Sequence, residues 1–99
     1  MAAYLVSVEL RAGEGGEGAL DRLKLEMRRA GFSGTIKRED GTRFRLPATL
    51  FRFAGDEGAS LEFVRNLATS VARQVHDEAA VLAVEARAWT AAGLKVKPS

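Results

Sequence analysis

The sequence predicts an α+β fold in which an antiparallel sheet is covered on one face by two helices. Three observations carry that expectation: apolar residues alternate with period two near both ends, two interior segments repeat at the helical period, and a turn-centred charged segment lies between them. The 99 residues, 46% of them hydrophobic with only two prolines, suit one compact domain over 1–99 with a single core.

From Ala3 to Leu10, Tyr4, Val6, Val8 and Leu10 alternate with Ala3, Leu5, Ser7 and Glu9, which predicts a strand with one core face. Arg11 to Gly18 is rich in Gly and Glu without apolar period and predicts a flexible connection. Leu20, Leu23, Met27 and Ala30 then recur at steps of three and four, with Arg22, Lys24, Glu26, Arg28 and Arg29 between them, the pattern of an amphipathic helix. Gly31 is placed to cap it in the left-handed conformation, and its last basic residues suit the negative end of the helix dipole. Gly31 to Phe53 reads as a β-hairpin turning at Asp40-Gly41, a pair suited to a type I′ turn. Pro47 cannot donate to a ladder, so it bends or interrupts the second strand and leaves the tip as a projecting arm. Ser60 is a candidate N-cap for a second helix whose apolar stripe is Leu61, Val64, Leu67, Ala68, Val71 and Val75. Ala80 to Trp89 alternates again as a last strand, and residues 90–99 form a short extension or frayed tail.

The order βαββαβ has one common compact solution, the ferredoxin-like split βαβ sandwich, selected by the right-handed crossover rule. Its uncovered sheet face is expected to carry Leu5, Val81, Ala83 and Trp89 beside Ser7, Glu85 and Arg87. Exposed apolar surface of that kind finds a partner, and a self-complementary patch closes most simply by two-fold symmetry, so a homodimer through the open face is expected.

Fifteen basic against thirteen acidic residues leave a net charge of +2, too little for a strongly basic clamp, so any nucleic-acid reading rests on charge distribution. The hairpin holds that asymmetry: Lys37, Arg38, Arg43, Arg45 and Arg52 stand against only Glu39 and Asp40. Absence of cysteine excludes disulfides, thiolate metal sites and cysteine nucleophiles and fits a reducing compartment, with the cytoplasm as the expected location. Residues 1–10 lack a basic leader region, and Ser7 and Glu9 break their apolar run, so neither a signal peptide nor a membrane span is expected there.

The run Tyr4-Leu5-Val6-Ser7-Val8-Glu9, a helix with Leu23 and Met27, then Phe32-Ser33, Glu39-x-Gly41, Leu46 and Phe51 resembles GhoS, the antitoxin of type V toxin–antitoxin systems. The likeness covers the first half by residues and the second half by element order. It implies a ferredoxin-like fold similar to the CRISPR-associated Cas2 proteins and an endoribonuclease that cleaves its toxin's messenger RNA. It places the acid at the end of the first strand on Glu9, where aspartate is usual, and the basic residue of the first helix on Lys24, where arginine is expected; these are the candidate catalytic residues. Lysine keeps the point charge for a phosphate but not arginine's bidentate fork. Arg28, Arg38, Arg43 and Arg45 are the candidate RNA-binding residues, with single-stranded RNA as partner and no metal or cofactor assigned.

Each feature also has a plainer account. Basic residues protect an exposed sheet edge, Glu9 suits a salt-bridged strand end, and Lys24, Arg28 and Arg29 suit a solvated helix face with Glu26 softening their repulsion. His76 stands at the end of the second helix, where an imidazolium suits the dipole, and Trp89 suits a half-buried seam. Gly13-Glu14-Gly15-Gly16 lacks the Lys-Ser/Thr of a phosphate loop and reads as a linker, and Ser7 has no visible triad. Two classes of function follow: an RNA-directed protein, with or without cleavage, and a non-catalytic dimeric protein-interaction module.

Overall fold

The computed structural model describes residues 3–10, 18–38, 40–55, 58–88 and 92–96. The elements are β1 (Ala3–Glu9), α1 (Ala19–Arg29), β2 (Phe32–Ser33), β3 (Thr35–Lys37), β4 (Arg43–Arg45), β5 (Leu50–Phe53), α2 (Leu61–Val75) and β6 (Ala80–Ala86). A four-stranded antiparallel sheet has the order β2-β5-β1-β6, and β3 and β4 form a separate two-stranded sheet. The expected six elements are therefore eight, because both hairpin strands are broken. At Gly34 the Thr35 amide turns onto the Ser33 hydroxyl (3.2 Å), and at the other break Leu50 donates to the Pro47 carbonyl (2.9 Å). Proline's missing donor and the Ser-Gly-Thr bend together free β3–β4 as the arm anticipated from Pro47.

Alternation and helical period meet in one core. Val6, Val8, Phe32 and Phe51 point inward from the four-stranded sheet against Leu23 and Met27 of α1 and Val64, Ala68, Val71 and Ala72 of α2. Leu23 and Met27 are fully buried, each contributing roughly 1.5–3 kcal/mol of transfer free energy. Ser60 caps α2 by accepting the Phe63 amide at 3.0 Å, and Gly31 follows α1 at φ +101°, as the residue types require.

Two local expectations are corrected and two are made specific. The Asp40-Gly41 turn is not type I′: only Gly41 takes positive φ (+92°), while Asp40 does not. Arg38 donates to the Thr42 carbonyl (2.8 Å) and Gly41 to the Arg38 carbonyl (3.0 Å), while the Asp40 carboxylate accepts the Thr42 amide (2.9 Å). That Asx contact fits a longer loop with one left-handed glycine. The faces of β6 are reversed. Val81 and Ala83 oppose Val8 and Val6 and pack on the core, whereas Leu82 and Val84 oppose Ser7 and Leu5 on the outer face. Both alternating sets of β6 are apolar, so register rather than hydrophobicity chooses. His76 stands at the C-cap of α2 as expected, but it is buried there, and its Nδ1 accepts the Glu78 amide at 3.1 Å. Of the two readings of the tail, Lys95 and Val96 fit the short extension: the Arg45 amide donates to the Lys95 carbonyl (2.9 Å), and Val96 bridges Phe44. Trp89, Glu39 and the linker 11–17 lie outside the described residues. Among those residues, no helix is long and apolar enough to cross a membrane.

Candidate polyanion-binding cleft

Helix α1 sorts its basic residues by face. Arg22 reaches the Gln74 carbonyl at the end of α2 (3.3 Å), and Arg29 pairs with Glu26 (3.2 Å). Lys24 and Arg28, four residues apart and so stacked on one face, turn toward the arm. Between them and the arm lies a cleft of about 620 Å³. Its second wall is the chain at the two strand breaks: Ser33, Gly34 and Thr35 on one side, Arg45, Leu46, Pro47 and Ala48 on the other. Phe32, Leu50 and Phe51 form the floor. Three cations thus converge without a carboxylate in the lining, and none of the three forms an ion pair among the described residues.

The arm's own pairing extends this charge. Thr35 opposes Arg45 and Lys37 opposes Arg43, so these four share one face of β3–β4, while Ile36 and Phe44 share the other. Ile36 is buried, and the Arg38 guanidinium lies 6.0 Å from the Phe44 ring centroid. Arg52, counted with the hairpin charge, is a brace: its Nε donates to the Thr35 carbonyl at 3.2 Å and ties β5 to the arm. Ser33 and Thr35 hydroxyls bond each other at 3.0 Å.

No family model, curated protein or solved structure matches this chain.

Of the residues expected to act, Lys24, Arg28 and Arg45 come together, and Arg43 adjoins them on the arm face. Arg38 is directed to Phe44 instead. Glu9 is exposed at the end of β1, opposite Ala80 on the outer sheet face, while Lys24 belongs to a helix packed on the inner face. A single protomer does not bring Glu9 and Lys24 together. Among the described residues, no group of three His, Cys, Asp or Glu side chains is placed to hold a metal ion. Ser33, Thr35 and Leu46 were not expected as site residues, Ser33 and Leu46 having entered only as positions of the family likeness, because the hairpin reads as an unbroken pair. Gly34 inside a strand pattern is the signal that points to them.

Among the described residues, a carboxyl at the arm's tip is shifted by its surroundings. The Thr42 amide bonded to Asp40 holds that carboxyl below its ordinary value of 3.8, with the Thr42 side chain adding to the effect.

Proposed function

We propose that this protein binds single-stranded RNA through its phosphates in the cleft between α1 and the arm. The observation that carries the reading is the convergence of Lys24, Arg28 and Arg45, none of them ion-paired among the described residues, on a cavity with no carboxylate in its described lining. Clustered cations with no acid in the lining attract a polyanion, and the arm face continues the charge through Arg43 and Lys37. The likeness of the first half to the GhoS-like antitoxins favours RNA as that polyanion. The fold is read as a ferredoxin-like sandwich with both middle strands broken, supported by β5 lying between β1 and β2 in the sheet.

The proposed activity is binding. Glu9 and Lys24 lie on opposite faces of the sheet, so a cleaving centre that used both would need two protomers. Fluorescence anisotropy with a short labelled RNA across a salt series tests the reading. Affinity is expected to fall with a log–log slope of roughly −2 for three neutralised phosphates, at about −0.7 each for a single strand. Lys24→Gln and Arg45→Gln should each make the slope shallower by about 0.7. Absence of binding at low salt would sink the proposal.

A second reading, a dimeric interaction module, is favoured by a different observation. Leu82 is 65% and Val84 41% exposed on the outer sheet face, beside Leu5 and Leu50. Apart from Leu50, which opposes Ser7 and also lines the cleft, this face and the cleft lie on opposite sides of the sheet, so the two readings are compatible.

A further inference from the structure

We infer that the cleft recognises a chain of phosphates without reading bases, so that its ligand class is any flexible phosphodiester or polyphosphate strand irrespective of sequence. This rests on the RNA-binding reading above and narrows it. Proteins that read single-stranded bases stack them on exposed rings or address their edges with amide and carboxylate side chains. The cleft offers neither. Its two rings, Phe32 and Phe51, are 2% and 3% exposed, so they form a floor with no free face. The polar side chains of the lining are three cations and two hydroxyls, and the hydroxyls of Ser33 and Thr35 are bonded to one another. No Asn, Gln, Asp or Glu lines the wall. Among the described residues, Phe63 is the exposed aromatic side chain, and it lies on α2 outside the lining.

The spacing of the cations suits a backbone. Lys24 and Arg28 stand about 6 Å apart along the helix axis, four residues at 1.5 Å each. Arg43 and Arg45 stand about 7 Å apart along β4, two residues at roughly 3.4 Å. Both intervals are near the reach of one nucleotide unit of an extended strand. Arg45 lies in the cleft and Arg43 beyond it on the same face, with Lys37 opposite. A strand leaving the cleft therefore meets a second station on the arm.

The guanidinium groups of Arg28 and Arg45 are the one part of the wall able to address a base, and that route would show as a preference for guanine. The test measures binding of eight-nucleotide U, A and C homopolymers and a G-containing strand of equal length at one low salt concentration. A three-nucleotide strand, a mononucleotide and inorganic polyphosphate serve as competitors. Expected are affinities within threefold of one another, displacement by polyphosphate, and none by the mononucleotide at equal concentration. The Lys37→Gln/Arg43→Gln double variant, at two exposed positions, should weaken the eight-nucleotide strand at least fivefold and leave the three-nucleotide strand unchanged. A tenfold preference for any base, or failure of polyphosphate to compete, overturns base-blind recognition while leaving RNA binding intact. If neither RNA nor polyphosphate binds, the RNA-binding reading itself falls.

Discussion

Phe53 owes its place to Gly55. Its ring lies 5.3 Å from Phe32 and 6.3 Å from Phe63, centroid to centroid, and a Cβ on Gly55 would stand 2.5 Å from the ring's tip. Neighbouring rings limit the ring's retreat, so Gly55→Ala is expected to destabilise the fold by about 1–3 kcal/mol through overpacking, read as a lowered denaturant midpoint with unchanged slope. An unchanged midpoint would mean the ring has somewhere to go. At the arm's tip Asp40 is a local reporter of the Asx contact. Because its folded pKa is depressed, the contact is complete above the ordinary carboxylate range and is lost as pH falls through the lowered value. The Thr42 amide should therefore titrate in NMR below the ordinary value of 3.8, and Asp40→Asn, which keeps the acceptor, should abolish that titration. Titration at the ordinary value would remove the contact from the account of the turn.

The arm is the element on which the site depends. Three kinds of contact hold β3–β4: the Leu46 amide to the Gly34 carbonyl (2.8 Å), the Arg52 brace, and the tail carbonyl of Lys95 on the Arg45 amide. The last is the most separate from the core, since it lies on the free edge of β4, and Val96 is itself exposed. Deleting residues 92–99 is expected to raise amide exchange in β3 and β4 while leaving β1, β5 and β6 protected. RNA affinity should fall by a few-fold as Arg45 loses its fixed position. Equal loss of protection throughout the sheet would show instead that the tail stabilises the whole domain.

At the scale of the molecule, the sheet separates two surfaces. Its inner face carries the helices, with the cationic cleft bounded by α1 and the arm, and its outer face exposes Leu82 and Val84. If the outer face closes on a second copy, the wild type should sediment as a dimer and Leu82→Asp as a monomer, with RNA affinity per protomer unchanged. A wild-type monomer at high concentration would leave the patch without this role. Strands β1 and β6 and both helices were legible from periodicity, as Val6, Val8, Leu23, Met27 and Val64 show by being buried in the core, whereas the division of the hairpin into β2 to β5 was not. Lys24, Arg28 and Arg45 were legible as charges but not as neighbours.

Sequence by itself determined the local terms: the alternation of β1, the stripe and Ser60 cap of α2, the left-handed Gly31 and the break at Pro47 follow from side-chain periodicity and backbone chemistry within a few residues. Tertiary structure alone decided which face of β6 points outward, that the tail seals the edge of β4, and that cations of α1 and β4 share one cleft apart from Glu9. The physical reason is that these depend on strand register and on where broken strands are redirected. Such long-range pairings are chosen by the packing of the whole chain, and a strand apolar on both faces encodes no preference between them.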